Sequence, residues 1–513
     1  MSSDVFSPDA EWTSRHTIPD SWVWVTLAQV ADIKGGLAKG KKRRPDQPTR
    51  SIPYLRVANV QRGYLDLNEI KLIDATEEEI AELRLLTGDI LFNEGGDRDK
   101  LGRGWVWNGE VHDCIHQNHV FRARPIVADL MSKLLSMYGN TYGQAYFLGE
   151  GKQTTNLASI SLSKLSALPV PLIPVEEQSR IVMKIDSLFA RSSRARVELA
   201  HIPKLIERYR QAVLEAAFRG DLTADWRASH PVSAAGSRLD TLLVERRARW
   251  QATQSSARRK TYPQPEEADY FPDIDLPEGW TWASVDQLTT EMQYGTSAKT
   301  NEDATGIPVL RMGNIVRGAL QVEKLKYLPA EHDEFPALLL HDGDILFNRT
   351  NSPELVGKTA VFNGQLPRAS FASYLIRLKA VGILPSLLSA YINSPYGRSW
   401  VASVVSQQVG QANVNGTKLS RLAVPLIPNE EQVILVQRIN EAMTTVDAME
   451  REMLRAAGMI DRLDQSILDK AFTGKLVAQD PNDEPASNLL ARIQAARAAA
   501  PKAKRGRKAK GAA

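Results

Sequence analysis

The chain has 513 residues, 43% of them hydrophobic and 24% charged, which is too long for one ordinary core and suits two globular domains plus connectors. A single cysteine, Cys114, excludes an intramolecular disulfide framework and every Cys-based zinc cluster, and no uninterrupted apolar stretch approaches the roughly 20 residues that span a bilayer. The formal charge is +4, but the tail after Pro501 alone carries six positive charges, so the body is slightly acidic and nucleic-acid affinity has to come from local patches or a partner.

Met1–Asp20 holds no apolar leader, and a cytoplasmic protein with no membrane partner is expected. The first third of the chain is then punctuated by Gly, Pro and Asn between β-forming runs, which predicts strands at Ile52–Val60, Asp89–Phe92 and Trp105–Trp107. Ahead of them, Gly35–Arg44 is a basic, glycine-bearing loop suited to phosphates, with Lys39, Lys41, Lys42, Arg43 and Arg44 as candidate contacts. Arg56, Asn59 and Arg62 share one strand–turn unit, and arginine can pair with guanine and asparagine with adenine. Two polar segments of the kind that reach base edges follow: Glu94–Lys100, with Arg98 and Lys100, and Lys152–Asn156, with Lys152, Gln153 and Thr154.

Pro174 and the pair Glu176-Glu177 predict a helix start, the acids complementing the positive end of the helix dipole. Apolar residues then alternate at spacings of four and three, among them Ile181, Ile185, Leu188, Leu199, Ile202, Ile206 and Tyr209, the period of a coiled-coil seam. Fully helical, Glu176–Phe218 would span roughly 60 Å, with Pro203 predicting a kink or loosened turn. A basic helix is expected over Ser237–Thr253, before the Pro-rich stretch Tyr262–Pro265.

From Leu276 the chain repeats itself. Ile18-Pro-Asp-Ser-Trp-Val-Trp24 returns as Leu276-Pro-Glu-Gly-Trp-Thr-Trp282, and Ile52-Pro-Tyr-Leu-Arg56 with Asn59 and Arg62 returns as Ile307-Pro-Val-Leu-Arg311 with Asn314 and Arg317. Gly88–Asn93 returns unchanged as Gly343–Asn348. Val170–Pro174 and Glu176–Gln178 return as Val424–Pro428 and Glu430–Gln432, and Ala217–Leu222 returns as Ala471–Leu476. The offset stays between 254 and 258, so the chain is a duplicated unit. The second seam reads Leu435, Ile439, Val446, Met449, Met453, Ile460 and Leu463, and two such stripes are expected to pair with each other. Glu484–Arg497 resembles the start of the connector, so the repeat runs past each helix and permits a circular, pseudo-twofold object with both chain ends together.

Residues common to both copies cannot read two different sequences, so they are expected to position the backbone or support the fold. Base discrimination is expected where the copies differ: Glu94–Lys100 against Arg349–Glu354, with Arg349 and Asn351, and Lys152–Asn156 against Gln407–Asn415, with Gln407, Gln408, Gln411 and Asn413. Lys299 is a further basic candidate.

Several near-motifs lead nowhere. Gly357-Lys-Thr359 ends like a phosphate loop, but Ser352 stands where the first glycine is needed. Asn393-Ser-Pro-Tyr396 lacks the second proline of an adenine-methyltransferase motif and has no glycine-rich loop upstream. Glu69-Ile-Lys71 is half a nuclease motif that the second copy breaks, and His112, His116 and His119 have no histidines opposite them in the second copy. No catalytic or metal-binding residue is assigned.

The twin entries Pro19–Trp24 and Pro277–Trp282, the twin Gly-Asp-Ile-Leu-Phe-Asn strands, the twin Pro-Leu-Ile-Pro-x-Glu-Glu-Gln helix starts and the twin Ala-Phe-x-Gly-x-Leu exits resemble the specificity (S) subunits of Type I restriction–modification systems, over nearly the whole chain. The resemblance implies an α+β protein. Two pseudo-repeated α/β target-recognition domains (1–174 and 276–428) would be separated by two long antiparallel coiled-coil helices (175–220 and 429–474) in a circular pseudo-twofold arrangement. A connector with a short helix (221–275) and a C-terminal helix with a basic tail (475–513) complete it. It further implies a non-catalytic subunit whose domains each recognise half of a bipartite double-stranded DNA target, with the paired helices as a ruler. Two methyltransferase (M) subunits carrying S-adenosylmethionine would dock on it, and restriction (R) subunits carrying ATP and Mg would join the full complex. The alternative is a coiled-coil DNA-binding or scaffold protein outside a restriction system.

Overall fold

The computed structural model describes residues 7–40, 47–96, 102–127, 129–150, 152–154, 157–230, 235–253, 261–352, 355–408 and 411–499. Its contacts divide the chain into two compact units, Met1–Leu199 with Arg455–Ala513, and Ala200–Leu454, so the division falls inside both long helices.

In the first unit Ile90–Asn93 lies inside a four-stranded sheet, between Val120–Pro125 and Gly104–Val106, with Ala31–Lys34 at the edge. All four of its residues are buried because both faces are covered. Ile90 and Phe92 enter the main core with the helix Asp129–Glu150, while Leu91 packs with Trp107 and Val120 on the other side. A strand covered on both faces reads as a continuous apolar run rather than an alternation. The second unit repeats this, with Ile345 and Phe347 in one core and Leu346 in another. There the covering helix is split into Pro385–Asn393 and Pro395–Val404, since Pro395 has no N–H to continue the first and Ser394 caps the second. In each unit an antiparallel pair ties the module's entry to the strand before a long helix: Val23–Thr26 with Pro169–Leu172, and Thr281–Ser284 with Ala423–Leu426.

The long helices are Val175–Arg219, 45 residues, and Asn429–Phe472, 44 residues, each roughly 65 Å at 1.5 Å per residue. Pro203 lies within the first and does not end it. In the first unit Arg196 bonds Asp461 at 2.8 Å and Asp464 at 2.7 Å. In the second, Arg210 lies 3.7 Å from Glu450 and 3.9 Å from Asp447. Each step forward on the first helix is matched by an equal step back on the second, so both contacts belong to one antiparallel register.

The seam differs in part from the apolar stripe. Ile181, Ile185, Ile206, Leu435, Ile439 and Val446 are buried, and Leu188, Leu199, Ile202, Met453 and Ile460 are half-buried. Leu463, Met449 and Tyr209, however, are 54%, 45% and 44% exposed. The contact line passes through Asp464, Glu450 and Arg210 instead, one residue further on in each case. Charged side chains satisfied across the helix pair hold these places, and apolar periodicity alone selects the wrong neighbour.

Each unit is closed by the segment that follows the other module's helix. In the first, the chain after the second helix returns so that Ala486 N–H donates to Ser21 O at 2.9 Å, Arg180 pairs with Asp483, and Leu489 and Ile493 enter the core. In the second, the chain after the first helix brings Ala235 N–H to Gly279 O at 2.8 Å, Arg238 to the Ile427 carbonyl at 2.8 Å, and Leu242 into the core. The circular plan is thus visible inside each unit. The expected helices appear as Ala235–Thr253 and Ala486–Ala499.

Candidate nucleic-acid interface

The segments in which the two copies differ come together as small three-stranded sheets. In the first unit Gly95–Gly96 pairs with Leu157–Ser159, which pairs with Lys152–Thr154. In the second, Thr350–Asn351 pairs with Gln411–Asn413, which pairs with Ser406–Gln408. The first strand of each set follows directly on the shared Asn93 or Asn348, so a rigid, doubly buried strand carries the variable segment. Lys152, Gln153 and Thr154 therefore share one sheet with Gly95, and Asn351, Gln407, Gln408, Gln411 and Asn413 share another. Two segments some 60 residues apart in sequence are hydrogen-bonded neighbours in both copies.

At the root of these sheets the copies carry opposite chemistry on one backbone. Glu94 N–H donates to His119 O at 3.0 Å, and Arg349 N–H donates to Tyr374 O at 3.0 Å. The Glu94 carboxylate lies 2.7 Å from His119 Nδ1, whereas the Arg349 guanidinium stacks 4.8 Å from the centre of the Tyr294 ring. Tyr294 is fixed in turn by its hydroxyl, which accepts the Gly416 N–H at 2.8 Å. Sequence reasoning included Glu94 in a candidate segment but missed Tyr294 and His119 as participants. Their signal is positional, since each sits beside a shared motif without belonging to it.

The residues common to both copies are spent inside the fold. Asn59 accepts the Arg56 N–H at 2.9 Å and donates to the carbonyls of Asp66 and Glu69 at 2.8 and 2.9 Å. Asn314 accepts the Arg311 N–H at 2.9 Å and donates to Gln321 and Glu323. Both are buried, so neither amide is available to an adenine. Arg56 and Arg311 donate to the Glu69 and Lys324 carbonyls, clamping the same turn. Arg62 donates to the Asn140 carbonyl, and Arg317 pairs with Glu450 of the second long helix. Lys39 and Lys299 are exposed on loops. Lys41, Lys42, Arg43, Arg44, Arg98 and Lys100 lie outside the described residues.

The near-motifs are structural. Asn393 closes a two-bond pair on the Thr359 backbone, at 3.1 and 3.0 Å, and Asn140 does the same at Gly104. The Thr359 hydroxyl is buried against Ser389 at 2.9 Å, which removes it from any phosphate loop. Hydrogen bonds from Arg56 and then Lys71 hold the Glu69 carboxyl below the usual glutamate range. Burial pushes His116 down to about 4, its Nδ1 lying 2.6 Å from the Val120 carbonyl, while His112 and His119 are exposed. Among the described residues no group of His, Cys, Asp and Glu could hold a metal ion. No helix among them is long and apolar enough to cross a membrane.

No protein-family model matches the chain. It is 24% identical to the Type I restriction enzyme EcoKI specificity subunit of Escherichia coli strain K12, over 96% of this chain and 99% of that one. It is 23% identical to the StySPI specificity subunit of Salmonella potsdam, over 94% and 97%. Among solved structures, a chain described under the complex assembly and conformational transition of the type I R-M system superposes with a TM-score of 0.58, at 18% identity, over 90% of this chain and all of that one. That likeness establishes the shared fold.

Proposed function

Because the chain belongs to the family of Type I restriction specificity subunits, whose members are non-catalytic, we propose that it reads a bipartite, asymmetric double-stranded DNA target for a methyltransferase that carries the chemistry. One observation supports this above all: the frame is duplicated, and two segments in which the copies differ meet on equivalent three-stranded sheets, each led by a strand that is identical in both copies. A reader of two different half-sites needs one scaffold twice and a different polar surface on each. The body's slight acidity fits a division of labour in which partners supply much of the phosphate affinity.

The two long helices offer docking places for two copies of one partner. Leu205 and Tyr209 on the first are 56% and 44% exposed, and their repeat equivalents Met459 and Leu463 on the second are 57% and 54% exposed. An exposed apolar pair at i, i+4 that occurs twice at equivalent positions suits two identical modification subunits. Those subunits would bring S-adenosylmethionine and take up flipped adenines, and restriction subunits with ATP and Mg would complete the assembly.

Sequencing of modified bases decides the reading. In a methylation-free host expressing this chain with its neighbouring modification subunit, methylated adenines are expected in one split motif and lost when this chain is omitted. An assembled complex that methylates nothing would overturn it and favour a scaffold.

A further inference from the structure

The two long helices carry one seam in opposite charge. Aligned through the repeat, 254 residues apart, Arg196 of the first corresponds to Glu450 of the second, and Arg210 corresponds to Asp464. The contact Arg196–Asp464 in the first unit and the contact Arg210–Glu450 in the second are therefore the same contact made twice. Both times the first helix brings the cation and the second helix the anion. Arg196 also holds Asp461, and Arg210 also faces Asp447 and its own helix neighbour Glu207. Glu450 is shared with Arg317. The side chains of Arg210 and Asp464 are only 12% and 18% exposed, so a mismatched charge there could not withdraw into water.

Much of the apolar seam is alike on the two helices. Ile181 corresponds to Leu435, Ile185 to Ile439, Leu199 to Met453 and Ile206 to Ile460, so at these places either helix offers an apolar side chain to a partner of either kind; Leu188 and Ile202 meet alanine equivalents, Ala442 and Ala456. Charge separates the two helices more sharply. Two second helices in this register would set Glu450 against Asp464 twice, with Asp447 and Asp461 crowding the same places and only Arg317, already paired with Glu450, to offset them. Two first helices would set Arg196 against Arg210 twice, relieved only by Glu207.

We propose that this pattern is a pairing key, by which the first long helix accepts the second and rejects a further copy of itself, so that like helices of two copies do not pair. Selection against the wrong partner through like charge is a general device where apolar surfaces are interchangeable. Its consequence, that an asymmetric target is read by one chain and never by two like modules, rests on the specificity-subunit reading. The pairing itself is tested without DNA.

Three full-length variants, each made with two different affinity tags, provide the test. Arg196→Asp turns the first helix acidic at this place, Asp461→Arg with Asp464→Arg turns the second basic, and the third variant combines all three changes. Each of the first two is expected to melt below the unaltered chain, and the third to recover. Co-expressed, the acidic-first and basic-second variants should form a 1:1 mixed dimer, because every helix pair in it is matched again. It should co-purify at least tenfold above two tagged unaltered copies. Absence of the mixed dimer, or failure of the third variant to recover, would overturn the key.

Discussion

Trp22 donates its indole N–H to the buried Glu177 at 2.7 Å, and the same bond recurs between Trp280 and Glu431 at 2.8 Å. Each glutamate stands in the first turn of a long helix and ties together the module's entry, the helix and the segment returning from the other helix. The ties differ in charge. Glu431 also receives the Thr223 hydroxyl at 2.7 Å and the Arg227 guanidinium, whereas among the described residues Glu177 receives only the Gln479 amide besides Trp22.

Glu177→Gln and Glu431→Gln should therefore act in opposite directions. Burial is the largest influence on Glu177 and raises its pKa above the ordinary glutamate value, outweighing the Trp22 and Gln479 bonds. A carboxyl raised on folding favours the folded state at low pH, and that contribution fades as pH rises through the elevated pKa. At pH 8 Glu177→Gln should raise the melting temperature, since a neutral amide still accepts the indole and Gln479 can turn its own amide to suit. At pH 4 the gain should vanish. Glu431→Gln strands Arg227 beside a buried site and should cost about 2–4 kcal/mol at neutral pH. Melting curves of both variants at the two pH values check the pair, and equal responses would contradict it.

Two glycines close the returning segments against the opposite entries. Gly474, at φ +67°, would place a Cβ 2.2 Å from Pro19 Cγ, and Gly220, at φ +84°, would place one 2.3 Å from Pro277 Cγ. Alanine at either position meets both left-handed strain and a ring that cannot bend away, for a loss of about 1–3 kcal/mol. Gly474→Ala should also speed proteolysis of the segment after it, because that segment is held by few elements. Pro19→Ala combined with Gly474→Ala should recover part of the stability by removing the clash but not the strain. A double-mutant cycle with no coupling would refute the contact.

Much of this architecture is legible in the sequence because the repeat marks equivalent places twice. The glycine and proline of each closing contact lie in motifs the repeat picks out, Ala-Phe-x-Gly-x-Leu and x-Pro-x-x-Trp, although nothing in sequence says that the two motifs touch. The central strands and the pairing of two long helices follow from apolar patterning. The seam shows where patterning fails: Asp464 and Glu450 occupy contact positions because arginines meet them across the pair, and a rule that counts apolar residues chooses Leu463 and Met449. Asn59 and Asn314 fail it in the other direction. Their chemistry suits adenine, but burial commits them to turns, and burial is a property of the folded chain.

That distinction separates support from reading. Asn314→Ala removes three hydrogen bonds from a buried turn and should cost about 2–3 kcal/mol while leaving the methylated motif unchanged. Gln408→Ala with Gln411→Ala, on neighbouring strands of the second small sheet, should leave the melting temperature within about 1 °C. It should also relax or weaken one half of the motif tenfold or more, by the about 1–3 kcal/mol of a lost base contact. Thermal melts and modified-base sequencing of the assembled complexes supply both readouts. A motif change with Asn314→Ala, or none with the glutamine pair, would reverse the assignment.

The duplicated exposed pairs predict stoichiometry. Leu205→Asp with Tyr209→Asp places two charges on the first helix where apolar side chains are now exposed, so folding should be little affected. If each pair seats one modification subunit, native mass spectrometry should show the complex falling from two such subunits to one. Met459→Asp with Leu463→Asp should remove the other. The four-residue variant should bind none, while the isolated chain keeps its melting temperature. If each docked subunit serves one half of a split target, either two-residue variant should leave one strand of the motif methylated and the other bare. Loss of both subunits from a two-residue variant would mean instead that docking is cooperative and that the pairs do not act as separate seats.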